Sequence, residues 1–123
     1  METGSAAGIR LMINEIPEKN QFDIISRRSW LIRYVKNPST NLALVAIRQG
    51  SAFYIEHIKN QTEILQLAAV REDPRSIERI KNPTPKVQLI AAKNGPWSVM
   101  GKIKKPTEQA QLAAIKGDPR AIH

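Results

Sequence analysis

His57 and His123 are the chain's two histidines, and they are the side chains whose ordinary pKa suits proton transfer near neutrality. Neither belongs to a recognisable constellation. No Ser/His/Asp set, no His-x3-His pair for zinc and no glycine-rich phosphate loop occurs. With no cysteine, thiolate catalysis, disulfides and cysteine-held zinc or iron–sulfur centres are excluded. The carboxylates are scattered, and the adjacent Glu72 and Asp73 read as a helix end followed by the next cap. No catalytic residue, metal ligand or cofactor site is assigned, and the chain is not expected to be an enzyme. What remains is cation chemistry. The 19 Lys and Arg outnumber the 11 Asp and Glu, giving a formal charge of +8 over 123 residues.

The cations are not scattered. Lys36, Lys59, Lys81 and Lys104 begin four related segments, and Arg48, Arg71, Lys93 and Lys116 close the same segments. The third copy reads Lys81-Asn82-Pro83-Thr84-Pro85-Lys86-Val87-Gln88-Leu89-Ile90-Ala91-Ala92-Lys93, and the leading lysines are spaced by 23, 22 and 23 residues. A repeat this regular sets the architecture. Each copy is expected to hold a longer helix of nine or ten residues and a shorter one of about two turns. Ser39/Thr40, Thr62, Thr84 and Thr107 are the N-caps, with Pro85 at a first helical position. Gly50, Asp73, Gly95 and Gly117 are the stops; Asp73-Pro74, Gly95-Pro96 and Asp118-Pro119 are the restarts.

The pairs Ile32/Val35, Ile55/Ile58, Ile77/Ile80 and Met100/Ile103 are three apart and share one face of each short helix. In the long helices Leu44, Leu67, Leu89 and Leu112 are read as core knobs, and Ala46, Ala69, Ala91 and Ala114 as points of close helix approach. Gln66, Gln88 and Gln111 form a polar ladder beside the core. Asn37, Asn60 and Asn82 are read as side-chain bridges of the turns. Helices this short need neighbours, so the expected fold class is all-α, an α-solenoid of about four to five 22–23-residue two-helix repeats.

Residues 1–11, with their Gly-Ser-Ala-Ala-Gly stretch, read as a vector-derived or disordered tail. Residues 12–28 read as a degenerate N-terminal capping unit, in which Gln21-Phe22 and Ile24-Ile25 match Gln88-Leu89 and Ala91-Ala92. Residues 29–123 hold the tandem repeats and finish part-way through a further unit. Either the chain is a piece of a longer array, or that end is covered by a partner or a second copy; self-association through it is the expectation. No apolar run approaches the ~20 residues of a membrane span and no signal-peptide layout opens the chain, so a cytoplasmic, non-membrane protein is expected.

The run Asp73-Pro74-Arg75 with Asn82-Pro83-Thr84-Pro85-Lys86-Val87 resembles the leucine-rich-repeat-variant type, in which long and short helices alternate in a right-handed superhelix. Ile80-Lys81-Asn82-Pro83-Thr84 with Val87-Gln88-Leu89-Ile90-Ala91-Ala92-Lys93 also resembles uncharacterised tandem repeats in hypothetical proteins of bacteria and tailed phages. These resemblances cover about residues 30–123. They imply a fold and a source, a bacterial or phage-infected cell, but no catalytic residue. Gln61, where proline is expected, and Gly101, inside the fourth short helix, depart from the pattern.

Two binding functions remain, beside the possibility that the repeats form a structural or oligomerisation arm of something larger. Core positions are nearly constant between copies, whereas Tyr34/His57/Arg79/Lys102 and Arg33/Glu56/Glu78/Gly101 vary. That contrast favours a protein-binding module whose basic face meets an acidic partner, with Arg33, Tyr34, His57, Arg75, Arg79, Lys102 and Lys105 as contact residues. A phage-encoded regulator or inhibitor of a host protein is the concrete form that the resemblance implies. The alternative is a nucleic-acid-binding solenoid making sequence-independent phosphate contacts. The helix-end cations argue less for nucleic acid than their number does, because a cation in the last turn stabilises the exposed carbonyls of any helix. Trp30, Phe53 and Trp97, placed at the starts of short helices, are read as hydrophobic anchors more than as stacking platforms.

Overall fold

The computed structural model describes residues 6–117, which are all-helical with no strand. Six α-helices are present among them: α1 (Ala6–Glu15), α2 (Glu18–Arg27), α3 (Thr40–Val45), α4 (Glu63–Glu72), α5 (Pro85–Asn94) and α6 (Glu108–Gly117). Helix α1 begins inside the stretch read as a tail. Four short helices, Ser29–Tyr34, Ala52–His57, Pro74–Arg79 and Trp97–Lys102, alternate with the long ones from α3 onward. Each short helix with the long helix after it is a unit, numbered one to four.

All four short helices are 3-10 rather than α. The backbone N–H groups of Val35, Ile58, Ile80 and Ile103 each close an i→i−3 bond as the chain turns extended. With three residues per turn, positions i and i+3 lie directly above one another. Thus Ile32/Val35, Ile55/Ile58 and Ile77/Ile80 present one buried column each. Capping explains where they start. Ser51 Oγ accepts from Phe53 N at 3.2 Å, and Asp73 Oδ1 accepts from Arg75 N at 3.0 Å with Pro74 following. Gly95-Pro96 works differently from Asp73-Pro74, because Pro96 is itself the residue before the helix. Trp97 accordingly opens its helix one position ahead of Trp30, Phe53 and Arg75.

The alternation of 22 and 23 residues is absorbed locally. In unit one the extra residue widens the end of the long helix into a π turn, Ala46–Gly50, closed by Ser51 N donating to Ala46 O at 3.2 Å. In unit three it lengthens the link to the next short helix to two residues, Gly95 and Pro96. Those glycines do not act by left-handed backbone, since no glycine among the described residues has positive φ. Gly95 is small because a Cβ there would lie 2.7 Å from Pro74 Cβ and from Val99 Cγ2, and one on Gly50 would strike Ser29.

Consecutive long helices pack on one another from α2 to α6, and each short helix packs on the next. One apolar core runs from Ile13 to Ile103, with a thinner alanine cluster of Ala92, Ala110 and Ala114 at α6. The knob of the long helices is not the leucine at 44, 67, 89 and 112. Those side chains are half-buried in the first three units, and Leu112 is 48% exposed. The core position lies two residues earlier, at Leu42, Leu65, Val87 and Ala110, because it shares a face with the alanine four residues on. Ala46, Ala69, Ala91 and Ala114 are buried as expected.

Candidate partner-binding edge

Tyr34, His57, Arg79 and Lys102 are the last residues of the four short helices, and Lys36, Lys59, Lys81 and Lys104 follow them in the turns. The lysine ladder therefore lies beyond the helix ends. Arg48, Arg71, Lys93 and Lys116 do sit in last helical turns. Asn37 contributes its backbone, with φ 51, a conformation that asparagine tolerates better than most residues. Neither it nor Asn60 nor Asn82 makes a side-chain bridge among the described residues; the carbonyls of Asn60 and Asn82 accept instead.

The expected contact residues are not equally available. Arg79 Nη1 pairs with Glu56 Oε2 at 2.7 Å and its guanidinium lies 5.8 Å from the Phe53 ring centre. Lys102 Nζ pairs with Glu78 Oε2 at 2.9 Å, and that hydrogen bond holds Glu78 below the usual carboxylate range. Both pairs run from one short helix to the next, so they are inter-unit ties that neutralise the ladder's centre. Arg75 stands at the start of its helix and grips Asp73 with two nitrogens, Nε at 3.1 Å and Nη2 at 2.8 Å. The Arg75 side-chain bonds hold the Asp73 carboxyl below its ordinary value. Arg75 thus completes a cap and does not join the others. Arg33 stacks over Tyr34 at 5.5 Å, Tyr34 meets Trp30 edge-on at 6.4 Å, and Trp30 is 45% exposed.

Two grooves open between successive turns. The first, about 510 Å³, separates the turns of units one and two. Arg33, Lys36, His57 and Lys59 line it with Tyr34; Val35, Ile58 and Leu65 are its buried floor, and no acidic residue lines it. The second, about 400 Å³, separates units three and four and is lined by Lys81, Lys102, Lys104, Lys105 and Glu78. Between units two and three Gln61, the residue standing where proline is expected, bridges the turns. Its Nε2 donates to Arg79 O at 3.1 Å and its Oε1 accepts from Lys81 N at 2.9 Å. Asn14 does the same for the first unit, donating to Tyr34 O and accepting from Lys36 N.

The glutamine ladder proves to be a clasp. Gln66 Nε2 donates to Gln61 O within its own unit, and its Oε1 accepts from Thr84 N of the next. Gln88 repeats this with Pro83 O and Thr107 N. Gln21 Nε2 donates to Ile13 O at 2.7 Å and, at 3.5 Å, to Ile16 O, five residues back as in the later glutamines. A second clasp joins cap hydroxyls to carboxylates: Ser39 Oγ donates to Glu18 Oε1 at 3.2 Å, and Thr84 Oγ1 to Glu63 Oε1 at 2.7 Å.

Unit one lacks both devices, having Thr40 where units two and four have glutamate and Ala43 where the others have glutamine. The cap hydroxyl that would have met the glutamate, Thr62 Oγ1, is buried without a hydrogen-bond partner, and Thr62 is among the residues that line the first groove. The sequence reading takes Thr40 and Thr62 only as caps and passes over Ala43, although the two departures are visible once the copies are aligned. Among the described residues no cluster of three His, Asp or Glu could hold a metal ion, and no helix is long and apolar enough to cross a membrane. His123 and the C-terminal segment expected to self-associate lie outside the described residues. Comparison with known proteins finds no matching family model, no matching curated protein and no matching solved structure.

Proposed function

We propose that the chain is a non-enzymatic helical-repeat module, an α-solenoid of 22–23-residue units, that binds an acidic protein segment along its turn edge. The observation that carries this reading is the first groove, a cation-rimmed cleft with an apolar floor between two units. A floor of Val35, Ile58 and Leu65 favours a polypeptide with apolar side chains between its acids over a bare phosphate chain. The repeated core supports the solenoid, since equivalent residues 22 or 23 apart take equivalent burial.

Glu56 and Glu78 weigh against a continuous phosphate track, because they place acids beside Arg79 and Lys102 in the middle of the cationic edge. Titrating labelled single- and double-stranded oligonucleotides at about 50 and 200 mM salt tests this. Phosphate-driven binding through six contacts weakens by about a thousandfold over that range. At most weak binding to either nucleic acid is expected, even at low salt. Tight, steeply salt-dependent binding would make nucleic acid the partner.

A further inference from the structure

The first groove lies where two devices are missing together; the junction of units three and four lacks only the glutamate, with Pro85 in its place, and keeps the Gln88 clasp. At two other junctions a cap hydroxyl donates to a glutamate of the preceding long helix, Ser39 to Glu18 of α2 and Thr84 to Glu63 of α4. At the junction of units one and two the glutamate position is Thr40, the glutamine position is Ala43, and Thr62 Oγ1 is buried with its hydrogen unused. A buried hydroxyl without a partner is costly, so it favours any acceptor that can reach it. The hydroxyl is shielded where it stands, but Thr62 is only part-buried and lines the groove with Thr40, so a turn of its side chain brings Oγ1 to an acceptor seated in the cleft. The surroundings select an anion: Arg33, Lys36 and Lys59 stand exposed on the rim and no acid lines the cleft.

We infer that this groove is a carboxylate-binding site, in which an Asp or Glu side chain of a partner protein takes the place of the missing repeat glutamate, accepting from Thr62 Oγ1 and pairing with Lys36 and Lys59. The molecule carries its own templates for the contact in the Ser39–Glu18 and Thr84–Glu63 bonds. This inference rests on the reading of the turn edge as a surface for an acidic protein.

The test uses the full chain and a fluorescein-labelled twelve-residue peptide of alternating Glu and Leu, read by fluorescence anisotropy at about 50 mM salt. A peptide with every Glu replaced by Gln and a twelve-nucleotide oligothymidylate are the comparison probes. Thr40→Glu supplies the missing carboxylate from within; it is expected to raise the melting temperature and weaken peptide binding about tenfold, an intramolecular group competing with the ligand. Thr62→Val removes the hydroxyl that makes no cap bond. It is expected to weaken binding several-fold without lowering the melting temperature. Arg48→Gln changes the net charge as Thr40→Glu does, but in a helix-end position, and is expected to leave affinity within about twofold.

Equal losses in Thr40→Glu and Arg48→Gln, or no loss in Thr62→Val, would overturn the groove assignment while leaving an acidic-partner edge intact. Binding of the oligothymidylate alone would overturn both. Failure of the Glu peptide to bind better than the Gln peptide would overturn the carboxylate assignment.

Discussion

Ser76 is fully buried and its hydroxyl has no hydrogen-bond partner, at the position held by Leu31, Tyr54 and Val99 in the other units. Removing an unpaired polar atom while keeping the volume nearly constant relieves a desolvation penalty. Ser76→Ala is therefore expected to stabilise the fold by about 1 kcal/mol, read as a higher urea midpoint at unchanged slope. Asp73 and Glu78 make the opposite case, since each gains cationic hydrogen bonds in the folded state and titrates below its ordinary value. Their contribution is in full effect above the unfolded pKa, roughly pH 4, and is lost as pH falls through the lowered folded value. The urea midpoint should hold from about pH 7 to 5 and decline below about pH 4, and less steeply so in Asp73→Asn. These residues were partly legible in the sequence. Asp73 before Pro74 announces a cap, but Arg75 reads as a free cation until its guanidinium is seen folded back on that cap. Arg79 and Lys102 likewise look available, because the glutamates that hold them are 23 and 24 residues away.

At the level of the element, the glutamine clasp ties each long helix to the turn of the next unit. Gln66→Leu keeps the size but leaves Thr84 N and Gln61 O without this partner, and is expected to cost about 1–3 kcal/mol in chemical denaturation. The two glycines that break the helical pattern separate by surroundings. A Cβ added to Gly101 would meet no heavy atom within 4 Å, so Gly101→Ala should stabilise by about 0.5–1 kcal/mol. Gly95→Ala drives a methyl into Pro74 and Val99 and should cost about 1–3 kcal/mol. Differential scanning fluorimetry of the pair should show shifts of opposite sign. Helix positions and caps were readable because N-cap residues and stops repeat in register. The core position lies two residues from the expected leucine because side-chain size does not choose the buried face; the spacing to the buried alanine does. The 3-10 form of the short helices is likewise hidden, since an i, i+3 apolar pair suits either helix.

For the molecule as a whole, a +8 charge describes less than the way it is arranged. Four cations cap long helices, others are spent on Glu56, Glu78 and Asp73, and the turn edge of units one and two keeps Arg33, Lys36 and Lys59 around an acid-free groove. Repetition made the alternation of long and short helices legible. The groove was not, because it arises from what unit one omits, and an omission has no residue to attract attention. The most direct measurement maps where an acidic ligand lands: amide chemical-shift changes in isotope-labelled protein titrated with the alternating Glu–Leu peptide. The largest shifts are expected in the turns around Lys36, Lys59 and Thr62. Shifts centred instead on Arg48, Arg71 and Lys93, at the ends of the long helices, would contradict a carboxylate-binding groove between units one and two.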